Sequence, residues 1–313
     1  MEVGKHFKEA GRVKKVLVLG ANGFIGQNIC RQLMADGYFV IAADKADSAL
    51  HAFYSRYSQV DVIKCDFTSL ISDVDAVIYL VSTLLPQPSN ENVERDILEN
   101  LVPVIHLLEA MKQSTTCKKI IFASSGGTIY GKHDDNIDEH SLLDPRCSYG
   151  IMKLTVEKYL SLYSDLYGLQ SISLRLSNPY GPGQNINRPQ GAVGIFLHKM
   201  LQNAPLEIWG DGSVVRDYVY IDDVATAFSA ALSYSGHEKV FNIGSSTGTS
   251  LNELIDLLFE LTSSKSIVTY SESRNVDVPS NILSVERAKN HLGWAPSVSL
   301  TEGLGRLTSL MRS

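Results

Sequence analysis

The chain has 313 residues, of which 44% are hydrophobic and 20% are charged, and these values are ordinary for a soluble globular protein. Its net charge of −6 gives no reason to expect a nucleic-acid partner, and no apolar run is long enough to suggest a membrane span or a signal peptide. The four cysteines lack metal-ligand spacing, so we expect reduced structural thiols, no metal site and a cytoplasmic location.

The first predicted element is a strand that runs into a glycine-rich turn. Residues 15–26 read KVLVLGANGFIG, and a helical pattern follows them. Such a turn lets backbone N–H groups and the helix dipole meet a pyrophosphate with no side chain in the way. Gly20 would make the turn, Gly23 would let the phosphates approach, and Gly26 would let the helix pack close to the sheet. A purely structural turn without a ligand is the alternative.

The next two predicted strands both end in an aspartate. The strand over residues 38–43 leads into Asp44, whose carboxylate would bind the adenosine ribose hydroxyls and disfavour a 2′-phosphate. This favours NAD over NADP as the cofactor. The strand over residues 60–65 leads into Asp66, which either reaches the adenine or caps a helix that begins at Thr68.

The alternation of strands and helices continues to residue 131. We predict a strand over residues 75–81, an irregular loop over 82–92 that crosses the cofactor crevice, and one long amphipathic helix over 93–112. A fifth strand over 118–123 leads into the sequence SSGGTIYG at 124–131. This alternation indicates an α/β fold built on a Rossmann-type, doubly wound parallel sheet.

A tyrosine and a lysine follow at helical spacing. Tyr149 and Lys153 lie four residues apart after Pro145, so they would be stacked one turn apart on one face of a helix. A tyrosine of ordinary pKa is a poor base at neutral pH, but a nearby ammonium and the positive nicotinamide ring of NAD would favour the phenolate. A core tyrosine beside a surface lysine is the alternative. After a dinucleotide-binding pattern and a serine-bearing strand end, we interpret the pair as catalytic.

Several motifs together resemble one known family. Besides GANGFIG, Asp44, Asp66, SSGGTIYG and YGIMK (149–153), the chain contains LRLSNPYGPGQ (174–184), WGDGSVVRDYVYIDDVA (209–225), FNIG (241–244) and LGWAP (292–296). The set resembles the extended short-chain dehydrogenase/reductases, in particular the nucleotide-sugar epimerase/dehydratase group and most closely the UDP-glucose (UDP-galactose) 4-epimerases. The resemblance implies a Rossmann NAD-binding domain at 1–177, with 239–244 returning to its sheet. It also implies a smaller C-terminal α/β lobe at 178–313 that binds the nucleotide sugar.

The resemblance assigns roles to individual residues. The catalytic groups would be Tyr149, Lys153 and a hydroxyl from Ser125 or Thr128. The cofactor would be bound by Gly20, Gly23, Phe24, Ile25, Gly26, Asp44, Asp66, Phe67, Leu80, Val81, Ser82, Asn100, Ser124, Tyr149, Lys153 and Pro179. The substrate would be bound by Asn178, Val193, Ile208, Arg216, Arg274 and Asp277. Without the resemblance, Arg216 would be interpreted as a surface arginine paired with Asp217.

The sequence departs from the family pattern at Gly126. Epimerases and dehydratases of this group usually carry a serine or threonine there that hydrogen-bonds the sugar 4-hydroxyl, so Ser125 or Thr128 would have to supply that hydroxyl here. The pair Gly126 and Gly127 also stands where 4,6-dehydratases place an acidic pair, so dehydration lacks its acid and base. Asn281 falls where some epimerases have a bulky tyrosine, and its smaller side chain would leave room for a 2-acetamido group.

We therefore expect an NAD-dependent 4-epimerase that acts on a UDP-sugar (UDP-Glc/UDP-Gal, with room for UDP-GlcNAc/UDP-GalNAc) through a transient 4-keto intermediate. The alternatives are a nucleotide-sugar 4-ketoreductase or C6 dehydrogenase-like relative, and a catalytically inactive NAD sensor. In the family, helices equivalent to 93–112 and Ser148–Tyr167 form a four-helix homodimer interface, so we expect a homodimer. A monomer that buries both helix faces internally is the alternative.

Overall fold

Seven parallel strands form the central sheet of this computed structural model, which describes residues 14–133, 136–186, 191–272 and 278–312. In chain order the strands are β1 (Lys15–Leu19), β2 (Phe39–Asp44), β3 (Arg56–Gln59), β4 (Ala76–Tyr79), β5 (Lys119–Ser125), β6 (Gln170–Leu176), β7 (Asn178–Tyr180), β8 (Leu206–Trp209), β9 (Val215–Tyr220), β10 (Val240–Ile243), β11 (Gly248–Ser250), β12 (Val268–Ser271) and β13 (Ser280–Asn281). The main sheet has the order β10-β6-β5-β4-β1-β2-β3, and each neighbouring pair is parallel. The winding reverses between β1 and β4, where open α/β sheets bind ligands beyond the carboxyl ends of their strands. The predicted Rossmann-type, doubly wound sheet is confirmed.

Helices cover both faces of this sheet. They are α1 (Phe24–Ala35), α2 (Phe67–Leu70), α3 (Pro86–Glu91), α4 (Val93–Asp96), α5 (Val102–Gln113), α6 (Gly126–Ile129), α7 (Ser148–Tyr167), α8 (Ala192–Leu201), α9 (Ile221–Ser233), α10 (Leu251–Thr262) and α11 (Leu300–Arg312), with π turns at Ile97–Leu101 and Ala288–Leu292. Along β1, Val16 and Val18 pack in the core shared with α1 and α9, whereas Leu17 and Leu19 pack in the core shared with α5 and α7. This alternation follows from the two-residue period of a strand.

Most of the chain after β6 forms smaller sheets and a separate apolar cluster, which we call the C-terminal lobe. In this lobe β9 pairs with β7, β11 and β13, and β8 pairs with β12. A third apolar cluster joins β7, α8, α10 and α11 through Tyr180, Leu197, Leu254 and Leu304. Strand β10 leaves the lobe and pairs with β6 at the edge of the main sheet. The smaller α/β lobe therefore adjoins the carboxyl end of β6.

The third strand lies earlier in the chain than predicted. Strand β3 is Arg56–Gln59, whereas residues 62–64 form a turn, so the prediction of a strand over residues 60–65 is wrong. Val60 and Val62 are nevertheless buried in the core. The apolar pattern of this segment therefore indicates that its side chains are buried, and does not indicate that it pairs as a strand.

The segment after β4 is more helical than predicted. Pro86–Glu91 forms α3, so the prediction of a loop without a helix over residues 82–92 is wrong there. Proline suits the first position of a helix because its missing N–H would have no partner inside the helix. The helix predicted over residues 93–112 is interrupted by the π turn Ile97–Leu101, which is followed by Pro103, a residue that cannot donate a backbone hydrogen bond.

Two further properties bear on the class of protein. Within the described residues, no helix is both long and apolar enough to cross a membrane, and no cluster of histidine, cysteine, aspartate and glutamate side chains could hold a metal ion. Cys30, Cys65, Cys117 and Cys147 are free thiols, and burial raises the pKa of Cys30 and Cys117 to about 12. These two thiols are therefore unreactive at neutral pH.

Candidate active site

The glycine turn leaves the start of α1 open. Gly20 has a φ of +86°, and a Cβ added to Gly26 would lie 2.2 Å from the carbonyl oxygen of Gly20, so the turn excludes side chains at both positions. Gly23 is the N-cap of α1 and contributes no side-chain hydrogen bond to the first turn. A helix N-terminus without a side-chain cap, behind a turn that only glycine fits, suits the pyrophosphate of a dinucleotide.

Asp44 lies against this turn. It ends β2, and its Oδ2 accepts a hydrogen bond from the N–H of Asn22 at 3.1 Å. A Cβ on Gly20 would lie 3.4 Å from Cβ of Leu80 and 3.3 Å from the backbone N of Val81. The ends of β1, β2 and β4 thus bring four of the predicted cofactor residues to one place. Phe24 and Ile25, the first two residues of α1, follow the turn and are half-buried against the core.

Asp66 caps a helix. Its carboxylate accepts hydrogen bonds from Thr68 N–H at 3.0 Å and from the Ser69 hydroxyl at 2.6 Å, while Phe67 is buried in the core. The capping interpretation is confirmed by these contacts. Contact of Asp66 and Phe67 with a cofactor stays a prediction.

Tyr149 and Lys153 lie side by side on α7, as predicted. The Nζ of Lys153 donates to the carbonyl of Ala123 at 2.8 Å and lies 5.4 Å from the ring centroid of Tyr149. Burial lowers the pKa of Lys153 to about 8, and the nearby carboxylates of Asp96 and Glu157 oppose this. Burial raises the pKa of Tyr149 to about 12. Without further positive charge, Tyr149 is therefore protonated at neutral pH.

Two hydroxyl groups lie near the Tyr149 phenol. They belong to Ser125 at the end of β5 and Ser82 after β4, and both lower the Tyr149 pKa, against the larger effect of burial. Thr128, the other predicted candidate, has a buried Oγ1 without a hydrogen-bond partner among the described residues. Of the two hydroxyls predicted to replace the one missing at Gly126, that of Ser125 is near enough to the tyrosine to lower its pKa, and the role of either hydroxyl stays a prediction.

The missing side chain at Gly126 has a steric cause. A Cβ there would lie 2.5 Å from Cδ1 of Leu283, which is fully buried. Asn281, two residues earlier, is 2% exposed and donates its Nδ2 to the carbonyl of Gly126 at 3.1 Å. Both side chains of the β13 region therefore pack directly on the turn that follows β5.

A small cavity collects other predicted cofactor residues around the tyrosine. Its lining includes Val81, Ser82, Asn100, Tyr149 and Lys153. The Asn100 side chain accepts a hydrogen bond from Thr83 N–H at 2.9 Å and donates one to Asp96 at 2.8 Å. The bond with Thr83 connects the π turn that contains Asn100 to the segment that follows β4.

Sequence reasoning missed the buried charges beneath this site. Ser124 donates to Glu157 at 2.5 Å, and Glu157 forms a buried ion pair with Arg175 at 2.7 Å. Asp96 is 1% exposed. The available signal was spacing, because Glu157 lies four residues after Lys153 and Asp96 lies four residues before Asn100, so each shares a helix face with a predicted site residue.

A second, larger cavity of about 440 Å³ lies in the C-terminal lobe. Its lining contains Pro179 and four predicted substrate residues, namely Asn178, Val193, Ile208 and Arg216. Asp217 is buried and accepts hydrogen bonds from Ser245, while Arg216 donates to the carbonyls of Val215 and Val278. The predicted residues Arg274 and Asp277 lie outside the described residues.

The parallel sheet, the glycine turn beside Asp44 and the Tyr149–Lys153 pair define an extended short-chain dehydrogenase/reductase. Residues 16–244 match the model of the NAD dependent epimerase/dehydratase family. The chain belongs to that family, and its cofactor is NAD, which the open glycine turn fits.

Relatives from this family include more than one activity. The chain is 35% identical to the dTDP-4-dehydro-6-deoxyglucose reductase of Escherichia coli, over 96% of this chain and 98% of that protein. It is similar to the structure of Thermotoga maritima UDP-glucose 4-epimerase with UDP-glucose, with 35% identity, a TM-score of 0.90 and coverage of 95% and 98% of the two chains. It is also similar to the structure of Thermus thermophilus UDP-glucose 4-epimerase in complex with NAD, with 30% identity, a TM-score of 0.88 and coverage of 96% and 99%.

Proposed function

We propose that this protein interconverts UDP-sugars that differ at C4, through a transient 4-keto intermediate. The observation that carries the proposal is the Lys153 ammonium 5.4 Å from the centre of the Tyr149 ring, at the carboxyl ends of the parallel strands, with the Ser125 hydroxyl near the phenol. The solved structures of similar UDP-glucose 4-epimerases support the choice of substrate class.

Tyr149 is the group that would move the proton. As a phenolate it takes the proton from the sugar 4-hydroxyl while a hydride leaves C4, and it returns the proton when the ketone is reduced on its other face. NAD supplies the hydride acceptor and donor when it is bound. Lys153 favours the phenolate by its charge, and Ser125 provides a hydroxyl through which the proton passes between sugar and tyrosine.

The C-terminal lobe would hold the nucleotide while the sugar turns. We assign the dinucleotide to the part of the chain up to residue 177 with β10, and the nucleotide sugar to the rest. Asn178 and Arg216 line the larger cavity, and Arg216 offers a planar, permanently charged group that suits a diphosphate. Arg274 and Asp277 complete this set in the proposal. Tethering is needed because the 4-keto sugar must rotate without leaving the site.

A second candidate function is nucleotide-sugar 4-ketoreduction. The observation that favours it is the Escherichia coli reductase, which matches nearly the whole chain. A reductase consumes one NADH per turnover, whereas an epimerase regenerates its NAD in each cycle.

The deciding experiment uses the purified protein without added cofactor. UDP-Glc, UDP-Gal, UDP-GlcNAc and UDP-GalNAc are incubated separately with wild type and with Tyr149→Phe, and the products are resolved by NMR. Interconversion of a C4 pair that is lost in Tyr149→Phe supports the epimerase. Turnover of a 4-keto sugar only with added NADH supports the reductase. Absence of turnover in both assays overturns both proposals and favours an NAD-binding protein without catalytic activity.

The same experiment tests the choice of sugar. We infer that N-acetylated sugars are accepted, because Asn281 is small and its side chain is held against the Gly126 carbonyl. Conversion of UDP-Glc and UDP-Gal without conversion of the N-acetylated pair would contradict this.

We also propose a homodimer. Helix α7 exposes Ile151, Tyr159, Leu162 and Leu166, which lie on one face because their spacing follows the helical period, and Leu98 is exposed on the neighbouring π turn. Exposed apolar faces of this kind are typical of protein interfaces. The four free thiols fit a reducing compartment such as the cytoplasm, which remains part of the proposal.

A further inference from the structure

The catalytic tyrosine is the second residue of α7, where backbone N–H groups have no partner inside the helix. Two of the first four N–H groups are satisfied locally, since Gly150 donates to Sγ of Cys147 at 3.4 Å and Ile151 donates to the Cys147 carbonyl at 3.0 Å. The N–H groups of Ser148 and Tyr149 need acceptors from elsewhere in the chain.

Helix α3 supplies both acceptors. The N–H of Tyr149 donates to Oγ of Ser89 at 2.9 Å, and the N–H of Ser148 donates to Oδ1 of Asn90 at 2.8 Å. Ser89 is fully buried, and its own hydroxyl donates to the carbonyl of Pro86 at 2.7 Å. Because a hydroxyl has one proton, this bond orients the serine oxygen as an acceptor towards Tyr149.

The same stretch of chain also reaches the other end of the tyrosine. Ser82, which precedes α3, lines the small cavity beside Tyr149. The hydroxyl of Ser148 is fixed as well, because it donates to Oδ2 of the buried Asp96 at 2.7 Å. The segment between β4 and α5 therefore makes hydrogen bonds with both the backbone and the side chains of the first turn of α7.

We propose that Ser89 and Asn90 are positioning residues for the catalytic tyrosine. They belong to a separate segment, cap the N-terminus of α7 and thereby fix the position of Tyr149. The consequence for turnover rests on the proposed function, but the effect on the helix end does not. Lys153 lies one turn further along and donates to the Ala123 carbonyl, so we expect loss of the cap to affect turnover more than retention of the cofactor.

Loss of either acceptor leaves a helix N–H without a partner and loosens the first turn. A displacement of about 1 Å at a catalytic group costs roughly 100-fold in rate, so we expect kcat to fall about 10- to 100-fold. The KM for the UDP-sugar and the bound NAD should stay near wild type, because neither capping residue lines the larger cavity or the small cavity beside the tyrosine.

The test compares Ser89→Ala with a matched pair at the exposed position 90. Asn90→Leu removes the acceptor at similar size, whereas Asn90→Asp keeps an acceptor oxygen and should retain wild-type turnover. Ser299→Ala is the control, because Ser299 accepts from Glu302 N–H at 3.3 Å at the start of α11, away from the tyrosine. Each holoenzyme is assayed for kcat, KM and NAD content, and hydrogen exchange is measured by mass spectrometry on peptides covering residues 147–152.

The proposal is supported by faster exchange at 147–152 in Ser89→Ala and Asn90→Leu, a fall in kcat at unchanged KM, and recovery in Asn90→Asp. It is overturned if exchange at 147–152 and kcat equal those of wild type and Ser299→Ala, or if activity falls only in proportion to lost NAD. If wild type converts no sugar, the proposed function fails, and the exchange result alone decides: unchanged exchange at 147–152 overturns the cap.

Discussion

Tyr149 must lose its proton to act as a base, and its surroundings oppose this. Burial raises its pKa to about 12, although the nearby hydroxyls of Ser125 and Ser82 lower it. Lys153, with a pKa lowered to about 8, still carries most of its charge at neutral pH. Because this single charge leaves the phenol protonated, a second positive charge is needed, and the oxidised nicotinamide ring carries one.

This charge argument predicts a redox-dependent tyrosine. The pKa of Tyr149 should be lower with NAD bound than with NADH, because only the oxidised ring is positive. Phenolate absorbance is followed through an alkaline titration, as the difference between wild type and Tyr149→Phe.

The matching control is Lys153→Met, in which the midpoint should rise in both cofactor states because an ammonium beside the phenol is lost. Equal midpoints with NAD and NADH in the wild-type protein would contradict the argument.

The pair Gly126 and Leu283 predicts a coupled effect on stability. Gly126→Ser should lower the free energy of unfolding by about 1–3 kcal/mol, because its Cβ would lie 2.5 Å from Leu283 Cδ1. Leu283→Ala alone should cost about 2–5 kcal/mol through the cavity it leaves. The double variant should cost less than the sum, since the serine occupies space that the leucine vacates. Urea denaturation measures all three, and strict additivity would show that the contact does not limit residue 126.

At the scale of the elements, one buried carboxylate in β9 connects this strand to two later segments of the chain. Asp217 accepts from Ser245 N–H at 2.7 Å and from Leu283 N–H at 3.2 Å, and so ties β9 to the chain after β10 and after β13. Asp217→Asn should lower the free energy of unfolding by about 1–3 kcal/mol, because an amide nitrogen cannot accept these bonds. Asp211→Asn, an exposed change in the turn before β9, should stay within about 0.5 kcal/mol of wild type in the same urea denaturation. Equal stability of the two variants would contradict this role for Asp217.

Elements with a local cause were predictable from the sequence. The glycine turn and Asp44 follow from strand–turn–helix chemistry, and the helical spacing of Tyr149 and Lys153 places them together. The third strand was misplaced because Val60 and Val62 are buried without being paired, and burial alone produces the same pattern.

Elements that depend on distant partners were not predictable. Helix α3 is stabilised by contacts of Ser89 and Asn90 with a helix that begins more than fifty residues later, so the local signal of Pro86 was too weak to predict it. The nearness of the Ser125 hydroxyl to the Tyr149 phenol likewise depends on how β5 and α7 pack together. Contacts between such distant residues can be identified only in the folded structure.

At the scale of the whole molecule, the main sheet supplies the proposed cofactor residues and the C-terminal lobe supplies the larger cavity. The carboxyl ends of β1, β2, β4 and β5 carry the glycine turn, Asp44, Ser82 and Ser125, while β6 leads within two residues to Asn178 at the larger cavity. The proposed cofactor residues and the proposed substrate cavity are therefore joined by a very short stretch of chain. This arrangement suits a reaction in which the sugar turns while its nucleotide stays fixed.

The exposed face of α7 predicts the assembly state. Leu166 is 61% exposed on that face, so Leu166→Glu would place a charge in the proposed dimer interface at little cost to an isolated monomer. We expect wild type to elute as a dimer and Leu166→Glu to elute as a folded monomer in size-exclusion chromatography with light scattering. Ile267→Glu is the control, because Ile267 is 70% exposed in the C-terminal lobe, before β12, and lies outside this face. A monomeric wild type at micromolar concentration, or a Leu166→Glu variant that remains dimeric, would place the interface elsewhere or remove it.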